Sequence, residues 1–306
     1  MITILLAVYN GEKYLSEQID SILNQTVNDC KIIIRDDGSS DNSVNIIDEY
    51  LKKFPEQITA IGGEPTGSAI GNFSELLKNC DDDYIMFADQ DDVWLPDKAQ
   101  KSLDAMLNAE NGNSGTPVLV HGDLTVTDDK LNIIAKSFFE YQKIIPNDLL
   151  VNRLLAQNYV TGCTVMINRA LKNRALPIPK DAPMHDWWLA LVAACFGKIV
   201  TLKSPLIYYR QHGDNQVGAK SGSGISFISR KLKTIGTVRD NYNATYRQAD
   251  LLLKSYGDIL PDDLKSIIAE YTKMKDYGRF KKIKTIKRYG FKKSTKLRVL
   301  GQYILA

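Results

Sequence analysis

The chain has 306 residues, 44% of them hydrophobic and 25% charged, a composition that excludes a disordered protein and suits a folded one. Its length allows one large α/β domain with an appendage, or two modest domains. The formal net charge of +3 hides an asymmetry: residues 273–306 hold twelve Lys and Arg against the single acid Asp276, so this tail carries +11 and residues 1–272 carry −8.

In chain order, Ile2–Tyr9 is an apolar run of strand length closed by the turn signal Asn10-Gly11. EKYLSEQIDSILNQ then places Leu15, Ile19, Ile22 and Leu23 at helical spacing. KIIIR (Lys31–Arg35) reads as a second strand and ends in DDGSSDNS, where Asp41 or Asn42 caps a helix with Val44, Ile47, Tyr50 and Leu51 on its apolar face. Ile58–Ile61 predicts a third strand, Phe73–Leu77 a short helix, and Tyr84–Ala88 a fourth strand. Wholly apolar strands alternating with helices predict a mostly parallel α/β sheet covered on both faces.

Further on, a helix is expected over Asp97–Ala109 and a strand over Pro117–Thr127, bent at Gly122. Residues 146–169 mix a helix with a strand around TGCTVMI. HDWWLALVAACFG, Ile199–Leu202 and Leu206–Tyr209 complete the core as helix, strand, strand. The organisation expected is a domain over residues 1–217, a Gly/Ser-rich hinge over 218–225 (GAKSGSG), and a helical, basic extension over 226–306.

Cys30, Cys80, Cys163 and Cys195 are far apart and form no C-x-x-C pair, which suits free thiols in a reducing compartment. The run Ile2–Val8 has no basic lead and reads as a strand rather than a signal segment. No uninterrupted apolar stretch approaches the ~20 residues needed to span a bilayer. A cytoplasmic protein is expected.

In open α/β sheets ligands sit beyond the carboxyl ends of the strands. Tyr9-Asn10, Asp36-Asp37-Gly38-Ser39 and Asp89-Gln90-Asp91-Asp92 each follow a different strand, so one carboxylate-rich rim is expected. The Asp89-x-Asp91 pair suits a hard divalent cation such as Mg2+ or Mn2+, and equally suits the dipole of a following helix. Asp36 and Asp37 are placed to accept from a nucleobase or ribose, with Gly38 allowing close approach; the same residues also make a good turn. Asp186, opening a helix in His185-Asp186-Trp187-Trp188, is a candidate general base or an N-terminal capping acid over a tryptophan pair. His212 in Tyr208-Tyr209-Arg210-Gln211-His212 is a candidate ligand for metal or diphosphate, with Arg210 as cationic partner, or a loop histidine without a role. His121 reads as packing.

The ordered set AVYNGEKYL, IIIRDDGSSDNS, MFADQDDVW, HDWW and YYRQHGDN resembles the inverting glycosyltransferases of family 2, with the GT-A fold, over residues 1–217. The form DQDDVWLPDK is most similar to bacterial rhamnosyltransferases that build cell-wall and capsular polysaccharides from dTDP-L-rhamnose. The resemblance implies a nucleotide-sugar pocket bordered by Val8, Tyr9 and Glu12, with Asp36 or Asp37 on base and ribose. It adds Asn72, Asp89, Gln90, Trp94 and Arg210 to the donor site. It implies Mn2+ or Mg2+ held directly by Asp91 and His212 and indirectly by Asp89, with Asp186 as catalytic base. His185, Trp187 and Trp188 would face the acceptor sugar.

The implied donor is a dTDP- or UDP-linked sugar, L-rhamnose first, with UDP-galactose, UDP-glucose or a UDP-N-acetylhexosamine as the alternative. The acceptor would be lipid-linked or an oligosaccharide. A non-catalytic nucleotide-sugar or membrane-binding module is the alternative of a different class. Three departures from the family pattern stand out. His185 replaces the first acid of the usual Glu-Asp pair, Gly67–Phe73 lacks a basic residue before Asn72, and no Q-x-x-R-W follows Asp186, which argues against a processive polymerase.

The tail interleaves Lys and Arg with Tyr, Phe, Ile and Leu. Such a segment lies on an anionic membrane face, each basic residue adding ~1 kcal/mol of attraction. That expectation places the protein peripherally on the inner face of the cytoplasmic membrane. Packing on the body or an oligomer contact through the C-terminal helices is the bland alternative. Nucleic acid is disfavoured by the acidic body and the lack of a nucleic-acid motif.

Overall fold

The computed structural model describes residues 1–27, 29–145, 149–212 and 235–304. The first half alternates β1 (Ile2–Val8), α1 (Leu15–Leu23), β2 (Cys30–Asp36), α2 (Ser43–Lys53), β3 (Ile58–Ala60), α3 (Ala69–Lys78), β4 (Tyr84–Ala88), β5 (Val93–Trp94) and α4 (Lys98–Glu110). Then come β6 (Val118–Thr127), β7 (Ile133–Ala135), α5 (Phe138–Gln142), α6 (Val151–Ala156), β8 (Met166–Asn168), α7 (Arg169–Ala175), α8 (His185–Phe196) and β9 (Lys198–Arg210). Four helices follow: α9 (Ile235–Tyr256), α10 (Asp262–Lys273), α11 (Arg279–Tyr289) and α12 (Lys296–Ile304).

Among the described residues the strands form one sheet in the order β3-β2-β1-β4-β8-β6-β9-β5, with β7 paired to β6. β3, β2, β1 and β4 are mutually parallel, as are β6 and β9. The short β8 runs antiparallel between β4 and β6, and β5 runs antiparallel to β9. The result is a mixed sheet, parallel over its longest ladders and flanked by helices.

Continuous apolar strands arise because both faces are covered. Side chains alternate across a strand, so Ile4, Leu6, Ile32, Ile34, Met86 and Ala88 join the cluster that includes α1, α2 and α4 residues. Leu5, Ile33, Ile85 and Phe87 point the other way, into a cluster with Phe73, Leu76 and Trp188. Two strands expected after α8 are one thirteen-residue β9. The bend expected at Gly122 is a break in pairing register on β6, at Gly122/Asp123 and again at Asp123/Thr125.

The basic extension shares the body's core. Tyr246, Ala249, Leu252, Tyr256, Leu260, Ile268, Tyr271, Met274, Ile286 and Phe291 belong to the same cluster as Ile85 and Trp188. Burial of such side chains stabilises by ~1.5–3 kcal/mol each, so α9–α12 pack on the body as an integral layer. The expected hinge over residues 218–225 and the start of the extension lie outside the described residues. No helix among the described residues is long and apolar enough to cross a membrane.

Candidate active site

The rim forms where β1, β2 and β4 end. Beyond Val8, Asn10 takes a positive φ of 51° and turns the chain so that successive groups meet the loop after β2. Asn10 N donates to Ser39 Oγ at 2.8 Å, Gly11 N to Ser43 Oγ at 2.8 Å and Glu12 N to Asp41 Oδ2 at 2.9 Å. In return Ser40 N donates to Asn10 Oδ1 and Asn42 N to Glu12 Oε2, both at 2.8 Å. Glu12 thus binds the start of α2, while Tyr9 stands exposed beside it.

Asp36 and Asp37 part company. Asp36 folds its own turn, accepting Gly38 N at 3.0 Å and Ser39 N at 2.9 Å. Gly38 has φ of +87°, and a Cβ there would lie 2.8 Å from Pro65 Cγ. Asp37 is buried and accepts Arg35 Nη1 at 2.6 Å, Thr66 N at 2.7 Å and Gly67 N at 2.9 Å. Burial alone would raise its carboxyl, but the donors from Thr66 and Arg35 outweigh burial and hold it below the usual range. Asn72 is also buried, accepting Arg35 Nη1 at 3.1 Å and donating to Val8 O and Arg35 O at 3.3 Å. Asp37 and Asn72 therefore lock the ends of β1 and β2 together.

Gln90 does the same for β1 and β4: Tyr9 N donates to its Oε1 at 2.6 Å and its Nε2 to Tyr9 O at 2.8 Å. Its side chain crosses Gly11, where a Cβ would sit 2.7 Å from Gln90 Cδ. Asp91 Oδ2 meets His212 Nε2 at 2.8 Å. Arg210 sets that pairing: Nε donates to Asp91 O at 2.9 Å, Nη1 to Asp129 O at 2.7 Å, and Nη2 reaches Glu17 Oε2 at 2.5 Å. The Tyr14 ring lies against both Arg210 (4.4 Å) and His212 (5.1 Å). The guanidinium is directed at protein oxygens.

Below the rim, Asp89, Asp92 and Cys163 bring ligand-type atoms within 4.8 Å of one another. Asp92 is 0% exposed and its Oδ2 has no hydrogen-bond partner among the described residues. Burial and the neighbouring Asp91 push its carboxyl well up. Lys98, also buried, donates to Cys163 O at 2.9 Å and stands 2.9 Å from the Trp94 ring centroid; burial holds its ammonium well below the usual range. Trp94 walls this buried amine. Asp89 is pushed up to about 7, first by burial and then by the charges of Asp91 and Asp186. That crowding of carboxylates, with an orphaned oxygen on Asp92 and an imidazole on Asp91, is a donor set that fits a divalent cation.

Asp186 enters from the first turn of α8. It is 7% exposed, and Oδ1 accepts Trp187 N at 2.6 Å and Asn158 Nδ2 at 3.1 Å. Burial pushes its carboxyl up to about 7. His185, its ring tilted against those of Phe73 (4.1 Å) and Phe87 (5.3 Å), is pushed down to about 3 by burial and is neutral. Neither of its ring nitrogens has a hydrogen-bond partner among the described residues. A Cβ on Gly162 would lie 3.1 Å from His185 Nε2 and 3.5 Å from Asp186 Oδ2, so glycine leaves room beside both. Trp187 is half-buried and donates to Leu154 O at 2.7 Å. Trp188 is 0% exposed, donates to Ala175 O at 3.0 Å and stacks on Tyr256, which makes it core and removes it from the cleft wall.

Sequence reasoning missed Lys98, Asn158, Gly162 and Cys163. LPDK in the opening of α4 reads as a surface helix start, and QNYVTGC carries no motif. Only the proximity of Lys98 to the acidic cluster in the chain could have drawn attention to it.

Among known proteins, the model of glycosyl transferase family 2 matches residues 3–174. The dTDP-rhamnosyl transferase RfbG of Shigella flexneri is 32% identical over 78% of this chain and 80% of its own. The UDP-Glc:alpha-D-GlcNAc-diphosphoundecaprenol beta-1,3-glucosyltransferase WfgD of Escherichia coli is 30% identical over 56% of this chain and 62% of its own. The crystal structure of S. aureus TarS residues 1–349 with UDP-GlcNAc superposes with a TM-score of 0.60 at 15% identity, covering 94% of this chain and 80% of that one, a likeness of fold.

Proposed function

The chain belongs to glycosyl transferase family 2, and we propose that it is an inverting, metal-dependent enzyme moving L-rhamnose from dTDP-L-rhamnose to a glycan hydroxyl. That it is a glycosyltransferase follows from the family; donor, metal and acceptor are the proposal. One observation carries it: beyond the carboxyl end of β4, Asp91 Oδ2 meets His212 Nε2 at 2.8 Å, while Asp186 opens α8 as a buried carboxylate.

The nucleotide lies along the rim, with Tyr9 and Val8 bordering it and Asp36 and Asp37 shaping the loop that receives base and ribose. Glu12, Gln90 and Asn72 hold that loop and the three strand ends in register. Asp91 and His212, with Asp89 behind them, would hold Mn2+ or Mg2+, which when bound neutralises the charge gathering on the diphosphate as it leaves. Arg210 steadies Asp91 and His212 from behind. On the other side, Asp186 takes the proton of the acceptor hydroxyl. The acceptor oxygen bonds to the anomeric carbon as the bond from that carbon to the diphosphate oxygen breaks, its electron pair leaving with dTDP. One base without a second nucleophile gives inversion. His185 and Trp187 line the acceptor side.

Similarity to RfbG supports dTDP-L-rhamnose. Similarity to WfgD favours a second reading, a UDP-linked hexose and a lipid-diphosphate acceptor. For either donor, an exposed face of α11 suits an anionic inner membrane leaflet: Phe280 is 90% exposed, and residues 279–304 hold ten Lys and Arg without an acid. A thermal-shift panel of dTDP-L-rhamnose, UDP-glucose, UDP-galactose and UDP-GlcNAc, each with Mn2+ or Mg2+, tests the donor, because a ligand bound only by the folded state raises its apparent stability. A shift with dTDP-L-rhamnose and metal together is expected; a shift confined to UDP-sugars, or one indifferent to metal, overturns the reading.

A further inference from the structure

Asp186 is reached from the far end of the chain. Asn158 donates from Nδ2 to Asp186 Oδ1 at 3.1 Å, while its own Oδ1 accepts Val160 N at 3.0 Å, which fixes the amide in one orientation. Asn158 lies in an irregular segment between α6 and the turn at Gly162, with no ladder to hold it. Its two chain neighbours are held by the turn joining α11 to α12. Ser294 N donates to Gln157 Oε1 at 3.1 Å, Gln157 Nε2 to Ser294 Oγ at 3.4 Å, and the buried Tyr159 hydroxyl to Lys292 O at 3.4 Å.

The preceding helix is tied to the same turn, Asn152 Nδ2 donating to Tyr289 O at 2.7 Å and Arg153 Nη2 to Lys293 O at 3.5 Å. The turn is itself packed and hydrogen-bonded. Gly290 takes φ of +73°, a Cβ there would lie 2.8 Å from Asn152 Nδ2, and Phe291 beneath it is 0% exposed. Gln302 Nε2 closes it by donating to Phe291 O at 2.7 Å.

We propose that Asn158 is the positioning residue of Asp186 and that the turn of residues 289–294, in the basic extension, is the anchor that holds Asn158 in place. The proposal rests on Asp186 as the base. An amide donor on Oδ1 favours the ionised carboxylate and fixes its plane, with Oδ2 left beside Gly162. The extension then contributes to chemistry through the backbone groups of this turn and the Ser294 hydroxyl, independently of its charge. Among titratable groups around Asp186, His185 lies on the same helix and is neutral, Asp89 faces it from β4, and Cys163 follows Gly162 in the adjoining turn.

The test is the pH profile of kcat for dTDP release from dTDP-L-rhamnose with Mn2+ by the full chain, water serving as acceptor. Asn158→Asp keeps the oxygen that accepts Val160 N, removes the donor and sets a second carboxylate against Asp186. Its acid limb is expected to move up by a pH unit or more, with kcat at pH 7 falling roughly tenfold or more and donor KM within about twofold. Asn158→Ala, which adds no charge, is read the same way with a smaller shift. Gly290→Ala, acting only through the turn, is expected to move the limb in the same direction. Unmoved limbs in the Asn158 variants, with Asp186→Asn inactive, overturn the positioning role, and an unmoved limb in Gly290→Ala removes the tail from it. An active Asp186→Asn overturns instead the assignment of the base.

Discussion

The Asp91 carboxylate and the His212 imidazole, 121 residues apart in the chain, meet at 2.8 Å between Oδ2 and Nε2. The contact joins the loop after β4 to the end of β9, and Arg210 braces it by donating to Asp91 O and reaching Glu17. Nothing in the paired strands requires it, since β5 and β9 are already in register through Val93–Tyr208 and Trp94–Ile207. A hard carboxylate with an adjacent imidazole is a natural pair of metal ligands.

His212→Ala and Asp91→Asn are each expected to weaken Mn2+ binding, measured by titration calorimetry in the presence of dTDP, by roughly ten- to hundredfold. The fold should survive in both, because both side chains lie at the rim. Unchanged Mn2+ affinity in both variants would remove the pair from the metal site.

Asp186 makes a stability prediction with a definite sign. Its carboxyl is near 7 in the folded protein against about 3.9 when unfolded, so the native state binds this proton more tightly. The stability it contributes is present below pH ~4 and is lost as pH rises through about 7. Asp186→Asn, which keeps an oxygen for Trp187 N and Asn158, is therefore expected to gain on the parent by up to about 1.4 kcal/mol per pH unit across that window and to level off above it. Denaturant titrations at a series of pH values read the difference directly. A difference independent of pH would mean that Asp186 ionises normally.

The extension should prove inseparable from the body. Phe291 is fully buried against Tyr271 (4.8 Å) and Tyr289 (5.6 Å), so Phe291→Ala is expected to cost about 3–5 kcal/mol in chemical denaturation. A loss below about 1 kcal/mol would show the tail to be an appendage.

For the membrane face, Phe280→Ala combined with Lys281→Glu and Lys284→Glu should abolish sedimentation with vesicles containing anionic phospholipid, at ~1 kcal/mol per removed cation and more for the reversals. dTDP release should be unaffected, since α11 turns these side chains away from the core. Persistent vesicle binding by this variant would rule the face out.

Much of the rim was legible because the signal is local. An apolar strand that stops at a polar cluster marks its own carboxyl end, and three such strands in parallel bring their ends together. Less legible was which of those polar side chains look outward. Asp37 and Asn72 spend their hydrogen bonds on Arg35, Thr66, Gly67 and Val8, and Arg210 spends its own on Asp91, Asp129 and Glu17. Those partners are distant in the chain, and no spacing rule reveals them. Trp188 looked like a sugar platform for the same reason; its burial depends on Ala175 and Tyr256. In the tail, the density of Lys and Arg masked the sparse apolar positions Ile286 and Phe291 that carry the packing. The short strands β5 and β7 borrow their pairing from neighbours and leave no periodicity to read.

In the function proposed, a buried carboxylate at the start of α8 removes the acceptor's proton, and the acids after β4 would hold the divalent cation that neutralises the departing diphosphate. Turnover of dTDP-L-rhamnose by Asp186→Asn, measured beside its donor affinity with Mn2+ present, tests this most directly. Donor affinity within about twofold of the parent is expected, with dTDP release reduced by roughly 10²–10⁴-fold. Near-normal release by this variant would contradict the proposed function.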